Sequence, residues 1–360
     1  MKRVNLGRDG IEVSEICLGT MTFGNQTPEA CAHAQMDRAL DRGITFLDCA
    51  EMYPVNPVKA ETAGNSERII GNWLAKTGSR NRVELATKIV GKGSAVRDGA
   101  AVTGASVREA VDASLRRLQS DHIDLYQIHW PNRGSYAFRQ NWHYDPSGQN
   151  RDETLAHIDD VLGALSDLVD AGKIRAFGLS NDTTWGTIRW IDAAERGVGP
   201  RVASVQNEYS LLYRLFDLDF AEAAVNEGFA LLAYSPLAAG LLTGKYQGGA
   251  IPEGSRAAVD IANGGSGSQA KAGVGSLGGR RTERAMQAVG ALQDLAAAHG
   301  VDLVHLSLNW LLTRPFQCVP ILGATTDAQL AHQLEGLGQP VSAELCKEID
   351  RLNRECPMPY

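Results

Sequence analysis

Eight short apolar runs alternate with amphipathic stretches along nearly the whole chain. They lie at residues 15–20, 46–50, 83–89, 123–129, 174–180, 203–209, 230–236 and 318–323. Each has strand length and is rich in Val, Ile, Leu or aromatic side chains. Between them, apolar residues recur at helical spacing. Residues 104–119 carry Val107, Ala110, Val111, Leu115 and Leu118 on one face, and residues 153–171 carry Leu155, Ile158, Leu162, Leu165 and Val169. Residues 64–76, 184–196, 216–228 and 282–299 also read as helices. Gly43, Gly78, Gly172, Gly197, Gly228 and Gly300 stand where a left-handed helix stop is wanted. Strands that alternate with helices predict a parallel sheet with covered faces, because each parallel crossover carries a helix. Eight strands are the number that closes a (β/α)8 barrel. The rival, an open doubly wound sheet, normally follows its first strand with GxGxxG. Here the first run leads into Gly19-Thr20-Met21-Thr22-Phe23-Gly24. The expected fold is therefore α/β, a single (β/α)8 TIM barrel.

A barrel needs about 250 residues, and this chain has 360. The surplus has recognisable addresses. Residues 1–13, with the turn Gly7-Arg8-Asp9-Gly10, predict a hairpin ahead of the barrel. Residues 131–152 and 237–281 read as long loops after the fourth and seventh strands, and a C-terminal segment follows the last strand. Both loops leave C-terminal strand ends, the face on which barrels build their chemistry, and both suggest lids. The second contains Gly264, Gly265, Gly267, Gly273, Gly275, Gly278 and Gly279 among Ser and Ala, so its middle is expected to be mobile. The whole of 1–360 is read as one barrel domain carrying these insertions.

Several classes of function are excluded by composition. The net charge is −7, with no hint of the basic face that a phosphate backbone requires, so nucleic acid is not an expected partner. No run of about 18 apolar residues is long enough to span a membrane, and the N-terminus lacks the apolar core of a signal peptide. The six cysteines form no CxxC pair and stand at no zinc-ligand spacing with His, so reduced thiols in a cytoplasmic protein are expected. The early strands show no cluster of His and carboxylates of the kind a metal hydrolase carries, and no metal is expected.

Four ionisable residues stand at or just past three consecutive strand ends: Asp48, Tyr53, Lys88 and His129. In a barrel those strands are neighbours. Each residue alone is weak evidence, since an Asp–Lys pair or a single His at a strand end is usually structural. Together they make a chemical unit. Free tyrosine titrates near 10 and is a poor acid. A neighbouring ammonium favours tyrosinate and is expected to lower that value. Asp48 would hold Lys88 charged and aimed, and a neutral His129 could donate a hydrogen to an oxygen that gains charge. A proton donor facing a polarised carbonyl suits carbonyl reduction, given a hydride source.

These residues resemble those of the aldo-keto reductases, barrel enzymes that use a nicotinamide cofactor. The likeness rests on Phe46-Leu47-Asp48-Cys49-Ala50-Glu51-Met52-Tyr53, on Ala86-Thr87-Lys88, and on Tyr126-Gln127-Ile128-His129-Trp130. It continues through residues 172–181, which read GKIRAFGLSN, and 232–246, which read LAYSPLAAGLLTGKY, so it covers nearly the whole chain. It implies that Tyr53 is the general acid, Lys88 and Asp48 its supports, and His129 the group that orients the carbonyl. It implies a cofactor site in which Thr20, Met21, Ser180, Asn181 and Gln206 surround the nicotinamide and Tyr234 stacks on it. Ser235, Pro236, Leu237, Ala238, Ala239, Gly240, Leu241, Leu242, Thr243 and Gly244 would line the pyrophosphate, with Lys245 and Arg256 adding positive charge. Gly323, Ala324, Thr325, Gln329 and Gln333 would surround the adenosine phosphate end. The chain departs from the family twice. Many relatives have Arg after the Gly of this last motif, where Ala324-Thr325-Thr326 stands here, and Asn where Gln333 stands. The implied cofactor is NADP(H), with NAD(H) open, and the implied partner is a small carbonyl substrate.

Phe23, Trp130 and Trp142 are candidates to line the substrate pocket, with core packing or loop anchoring as the rival for each. Cys49 is expected to pack in the barrel, and His143 and His157 to have no part in the chemistry. Two other functions compete with reduction. A cofactor-binding auxiliary subunit would keep the same residues, as some relatives with this barrel do. A Schiff-base aldolase on Lys88 is disfavoured, because a lysine held charged by Asp48 is a poor nucleophile. Oligomeric state is left open.

Overall fold

The computed structural model describes residues 1–8, 10–264 and 277–360. Eight parallel strands close into a barrel: β3 (Cys17–Gly19), β4 (Phe46–Asp48), β5 (Glu84–Ile89), β6 (Ile123–Ile128), β7 (Ile174–Ser180), β8 (Val202–Glu208), β9 (Ala230–Tyr234) and β10 (Cys318–Leu322). β10 pairs with β3 and completes the ring. The earlier antiparallel pair β1 (Arg3–Asn5) and β2 (Glu12–Ser14) is the expected hairpin. Around the barrel run α1 (Glu29–Asp41), α2 (Asn65–Thr77), α3 (Gly104–Leu118), α4 (Arg151–Asp170), α5 (Thr184–Glu195), α6 (Asp219–Glu227), α7 (Arg256–Ala262), α8 (Glu283–Ala298), α9 (Leu303–Leu311), α10 (Asp327–Glu335) and α11 (Ala343–Glu355). All six expected glycine stops have φ between 65° and 81°.

Alternation along each strand builds two cores. One residue faces the barrel axis and the next faces the helices. Cys17, Phe46, Ala86, Leu125, Ala176, Ala230, Leu232, Val319 and Ile321 pack inside, and Leu6, Ile11 and Val13 of the hairpin region join them. The hairpin therefore caps the floor of the barrel. The outer core, between barrel and helices, takes the opposite parity: Leu18, Leu47, Leu85, Tyr126, Phe177, Leu179 and Leu231. Continuing the inner parity towards the C-terminal ends brings Asp48, Lys88, Gln127, Ser180 and Tyr234 to the same interior level. Gly178 makes room there, since a Cβ would stand 2.7 Å from Ser204 Oγ and 3.3 Å from Gln127 Cγ.

Two expectations need correction. Residues 237–281 are not loop throughout. A 3-10 segment spans Ala238–Thr243, and α7 forms behind Ser255, whose side chain accepts from Ala258 N at 3.3 Å. Asp260 then accepts from Leu277 N at 3.0 Å, tying the far end of the segment back. The mobility expected for its glycine-rich middle concerns 265–276, and the turn at Asp9 is likewise outside the described residues. The helix expected over 216–228 begins only at Asp219, after a short 3-10 turn. The sequence pattern gave no range for α9, and marked α1 only by its stop at Gly43, for opposite reasons. The buried stripe of α1 includes Gln35 among Ala32, Met36 and Ala39, so its contrast is low. All of α9 except His305 is buried, so it has little polar face to show a period.

Loop 131–152 is held down by specific contacts. Arg133 pairs with Asp182 and donates to Thr183 Oγ1 at 3.1 Å. Ser135 Oγ donates to the Asn181 carbonyl at 2.6 Å, and Gln149 Nε2 to the Arg133 carbonyl at 3.2 Å. Among the described residues, no helix is long and apolar enough to cross a membrane.

Candidate active site

Asp48 is the hub of the interior cluster. Lys88 Nζ donates to its Oδ2 at 2.7 Å and to the Cys49 carbonyl at 2.6 Å. Its Oδ1 accepts from Gln206 Nε2 at 2.9 Å and Gln127 Nε2 at 3.1 Å. Both charges are fully buried, so each polar contact acts at low dielectric. Burial works against the Lys88 charge, but Asp48 and the Tyr53 phenol outweigh it and hold the ammonium above its ordinary range.

Tyr53 lies over this pair, with Lys88 Nζ 4.9 Å from its ring centre. The sequence expectation that Lys88 lowers the phenol pKa meets an opposing effect. Burial pushes the phenol up to about 12, against the downward pull of Lys88. Tyr53 is only 8% exposed, and an anion there loses nearly all its hydration. His129 meets Tyr53 edge-on, with ring centres 5.8 Å apart. Burial, with Lys88 adding repulsion, holds its imidazole well below the ordinary histidine value. The ring is therefore neutral at neutral pH, and its Nδ1 is buried without a partner among the described residues.

Beside His129, the polar groups of β7 to β9 form one chain. Asn181 Nδ2 donates to the His129 carbonyl at 2.9 Å and to Ser180 Oγ at 3.0 Å. Ser180 Oγ donates to the Gln206 carbonyl at 2.9 Å, and Tyr234 Oη donates to Asn181 Oδ1 at 2.8 Å. Asn181 adopts φ 54°, a left-handed conformation that turns its amide back over the barrel mouth. Thr20 is buried and its hydroxyl donates to the Asp48 carbonyl at 2.9 Å, so it braces the strand end rather than offering a free hydroxyl. Met21 is partly buried against the outer core.

The segment after β9 turns repeatedly through left-handed backbone at Ser235, Ala238, Ala239, Gly240 and Gly244. Such turns make amide-lined concavities that favour anions. Pro236, Leu237, Leu241, Leu242 and Thr243 complete the segment, with Leu241 and Leu242 anchored in the core. Lys245 comes close to it, its Nζ 3.6 Å from where a Cβ on Gly240 would lie. Burial lowers the Lys245 pKa. Burial and the like charge of Arg280 lower that of Arg256 to about 10, and Arg256 Nε is buried without a partner among the described residues. After β10, Gln329 Oε1 accepts from Thr325 N at 2.9 Å and Thr325 Oγ1 at 3.1 Å. Gln333 Nε2 donates to the Gly323 carbonyl at 3.0 Å, while its Oε1 is buried without a partner among the described residues. Ala324 is buried beside them.

The three pocket candidates separate. Trp130 stays near the cluster, 5.1 Å from the His129 ring and 5.9 Å from Phe138. Phe23 is fully buried in the outer core. Trp142 is 62% exposed, so it faces solvent rather than a closed pocket. Sequence reasoning missed Gln127, although it lies two residues before His129 on the same inward parity, a signal that period-2 counting contains. It also missed Glu51. Glu51 accepts from Val90 N at 2.8 Å and pairs with Arg97 at 2.8 Å through both carboxylate oxygens, bracing the turn that carries Tyr53. Nothing local marks that partner, 46 residues away.

Comparison with known proteins bears on this cluster. The aldo/keto reductase family model matches residues 15–354. The chain belongs to the aldo/keto reductase family. It is 39% identical to protein tas of Escherichia coli K12, over 98% of each chain. It is 33% identical to the uncharacterized oxidoreductase YrpG of Bacillus subtilis, over 98% of this chain and 94% of that one. A probable voltage-gated potassium channel subunit beta of Arabidopsis thaliana is 28% identical, over 94% and 91%. An oxidoreductase of this family is thus the coarse assignment.

Proposed function

We propose that the chain reduces an aldehyde or ketone to the alcohol with NADP(H). The observation that carries this reading is the buried meeting of Tyr53, Lys88, Asp48 and neutral His129 in one cluster. Family membership supplies the reaction class.

The residues present suit a nicotinamide dinucleotide. Lys245 and Arg256 are cations whose pKa values burial depresses, and the Arg256 Nε has no partner among the described residues, so a nearby anion would stabilise the charge of each. The left-handed segment at 235–244 suits a pyrophosphate. The orphaned Gln333 Oε1 is an acceptor for an exocyclic amine. Ser180, Asn181 and Gln206 would hold the carboxamide, and Tyr234 the ring face. When bound, the cofactor supplies the hydride. The chain's own residues do the rest. His129, neutral, gives a hydrogen bond to the carbonyl oxygen and aligns it. Tyr53 hands its phenolic proton to that oxygen as charge builds there. Lys88 stabilises the tyrosinate left behind, and Asp48 keeps Lys88 charged and in place. Trp130 walls the site.

The preference for NADPH rests on the family resemblance, since Ala324 and Thr325 leave the 2′-phosphate end with a hydroxyl and backbone amides in place of a bidentate guanidinium. We expect kcat/KM for NADPH to exceed that for NADH, measured with one aldehyde; equal or reversed values overturn the preference. Steady turnover of an aromatic aldehyde separates the enzyme from an auxiliary subunit, and its absence favours the latter.

A pH profile tests the acid. The pH dependence of kcat/KM reports the free enzyme. A phenol held up to about 12 keeps its proton past the ordinary tyrosine value of about 10. Reduction is expected to stay level from neutrality to that point and to fall only above it. A basic limb below about 10 would show that Lys88 overcomes burial in the working enzyme.

A further inference from the structure

We propose that Asp302, His305 and His332 form a surface site for a divalent transition metal of the zinc class, tying α9 to α10. Each residue offers one ligand atom, and the three atoms lie within 4.8 Å of one another. The two imidazole centres are 4.7 Å apart, and His332 Nε2 is 3.5 Å from Asp302 Oδ1.

The three residues are held by different parts of the fold. Asp302 caps α9, its Oδ1 accepting from Val304 N at 2.7 Å and His305 N at 3.2 Å. His305, one turn on, lies against Gly336, where a Cβ would stand 1.9 Å from its Cγ. Only glycine leaves a seat for that ring. His305 Nε2 is 2.7 Å from the His332 carbonyl. A carbonyl only accepts, so Nε2 carries the hydrogen and Nδ1 the lone pair. An imidazole fixed by donating one N–H to a backbone carbonyl is the arrangement metal-bound histidines adopt. His332 comes from the last turn of α10, with Glu335 Oε2 3.9 Å from its Nδ1 as a further carboxylate.

Two imidazoles and a carboxylate favour Zn²⁺, Ni²⁺ or Cu²⁺ over Mg²⁺ or Ca²⁺, which prefer oxygen donors. Tetrahedral bonds of about 2.0 Å place ligand atoms roughly 3.3 Å apart. Rotation of the exposed His332 closes that gap, and water fills the open position. The site is outside the reductase cluster, but α10 also carries Gln329 and Gln333. A metal would therefore stiffen the helix that presents the adenosine end.

The experiment uses the full chain, stripped with a chelator and titrated with Zn²⁺ by calorimetry and thermal unfolding. One equivalent is expected to bind and to raise Tm by a few degrees through mass action, with Mg²⁺ inert. His332→Ala should weaken binding at least tenfold. Asp302→Asn, which retains the helix cap, should weaken it less. Unchanged affinity in His332→Ala overturns the proposal. The chain also holds six free cysteines. A thiolate charge-transfer band in the Co²⁺ spectrum would place the ion on one of them and overturn it too; a nitrogen–oxygen spectrum without that band supports it.

Discussion

Replacing Tyr53 by Phe is expected to lower kcat for aldehyde reduction by about 10²–10⁴-fold, the usual contribution of a positioned acid. The substitution removes one oxygen and leaves the ring, so the edge-on contact with His129 at 5.8 Å should persist. NADPH affinity, read by fluorescence titration, should barely move, because the proposed cofactor contacts lie on other strands. An effect confined to kcat separates loss of the acid from loss of the site. A rate within a few-fold of the parent would remove Tyr53 from the mechanism and leave His129 as the remaining donor.

The second large effect is on stability. Asp48→Ala leaves the Lys88 ammonium buried with no counter-charge, and strips Gln127 and Gln206 of their shared acceptor. Removing one partner of a buried pair costs about 3–5 kcal/mol. Denaturant unfolding should show the midpoint falling by that equivalent. Adding Lys88→Met to Asp48→Ala should restore part of the loss, since no unpaired charge then remains. If the double variant is no more stable than Asp48→Ala, the ion pair is not what holds the strand ends together at the mouth, and the glutamine contacts are.

The strand ends show how far the sequence could be read. Asp48, Lys88 and His129 were legible because each stands at or near the end of an apolar run, and barrel strands deliver their last inward residues to one mouth. Tyr53 was legible as an ionisable residue in the turn that follows Asp48, and its role came with the family resemblance. Gln127 shares the inward parity of His129, yet a glutamine in an apolar strand carries no chemical flag until its partner is known. Arg133 and Asp182, which dock the long loop on β7 and α5, are 49 residues apart. Trp142 reads as a pocket wall from its aromatic character, but docking of the loop left it facing water.

Hydrophobic period and glycine position alone determined the barrel, its hairpin and the set of ionisable residues at its mouth. Those signals are local: alternation of 2 or 3.6 is imposed by backbone geometry wherever an element has a buried face. Tertiary structure decided the rest, because it depends on which distant groups meet and how much water each loses. It placed two glutamines on Asp48 and buried Tyr53 deeply enough for desolvation to outweigh Lys88. It also set His332 of α10 beside His305 of α9, across 27 residues and an intervening strand.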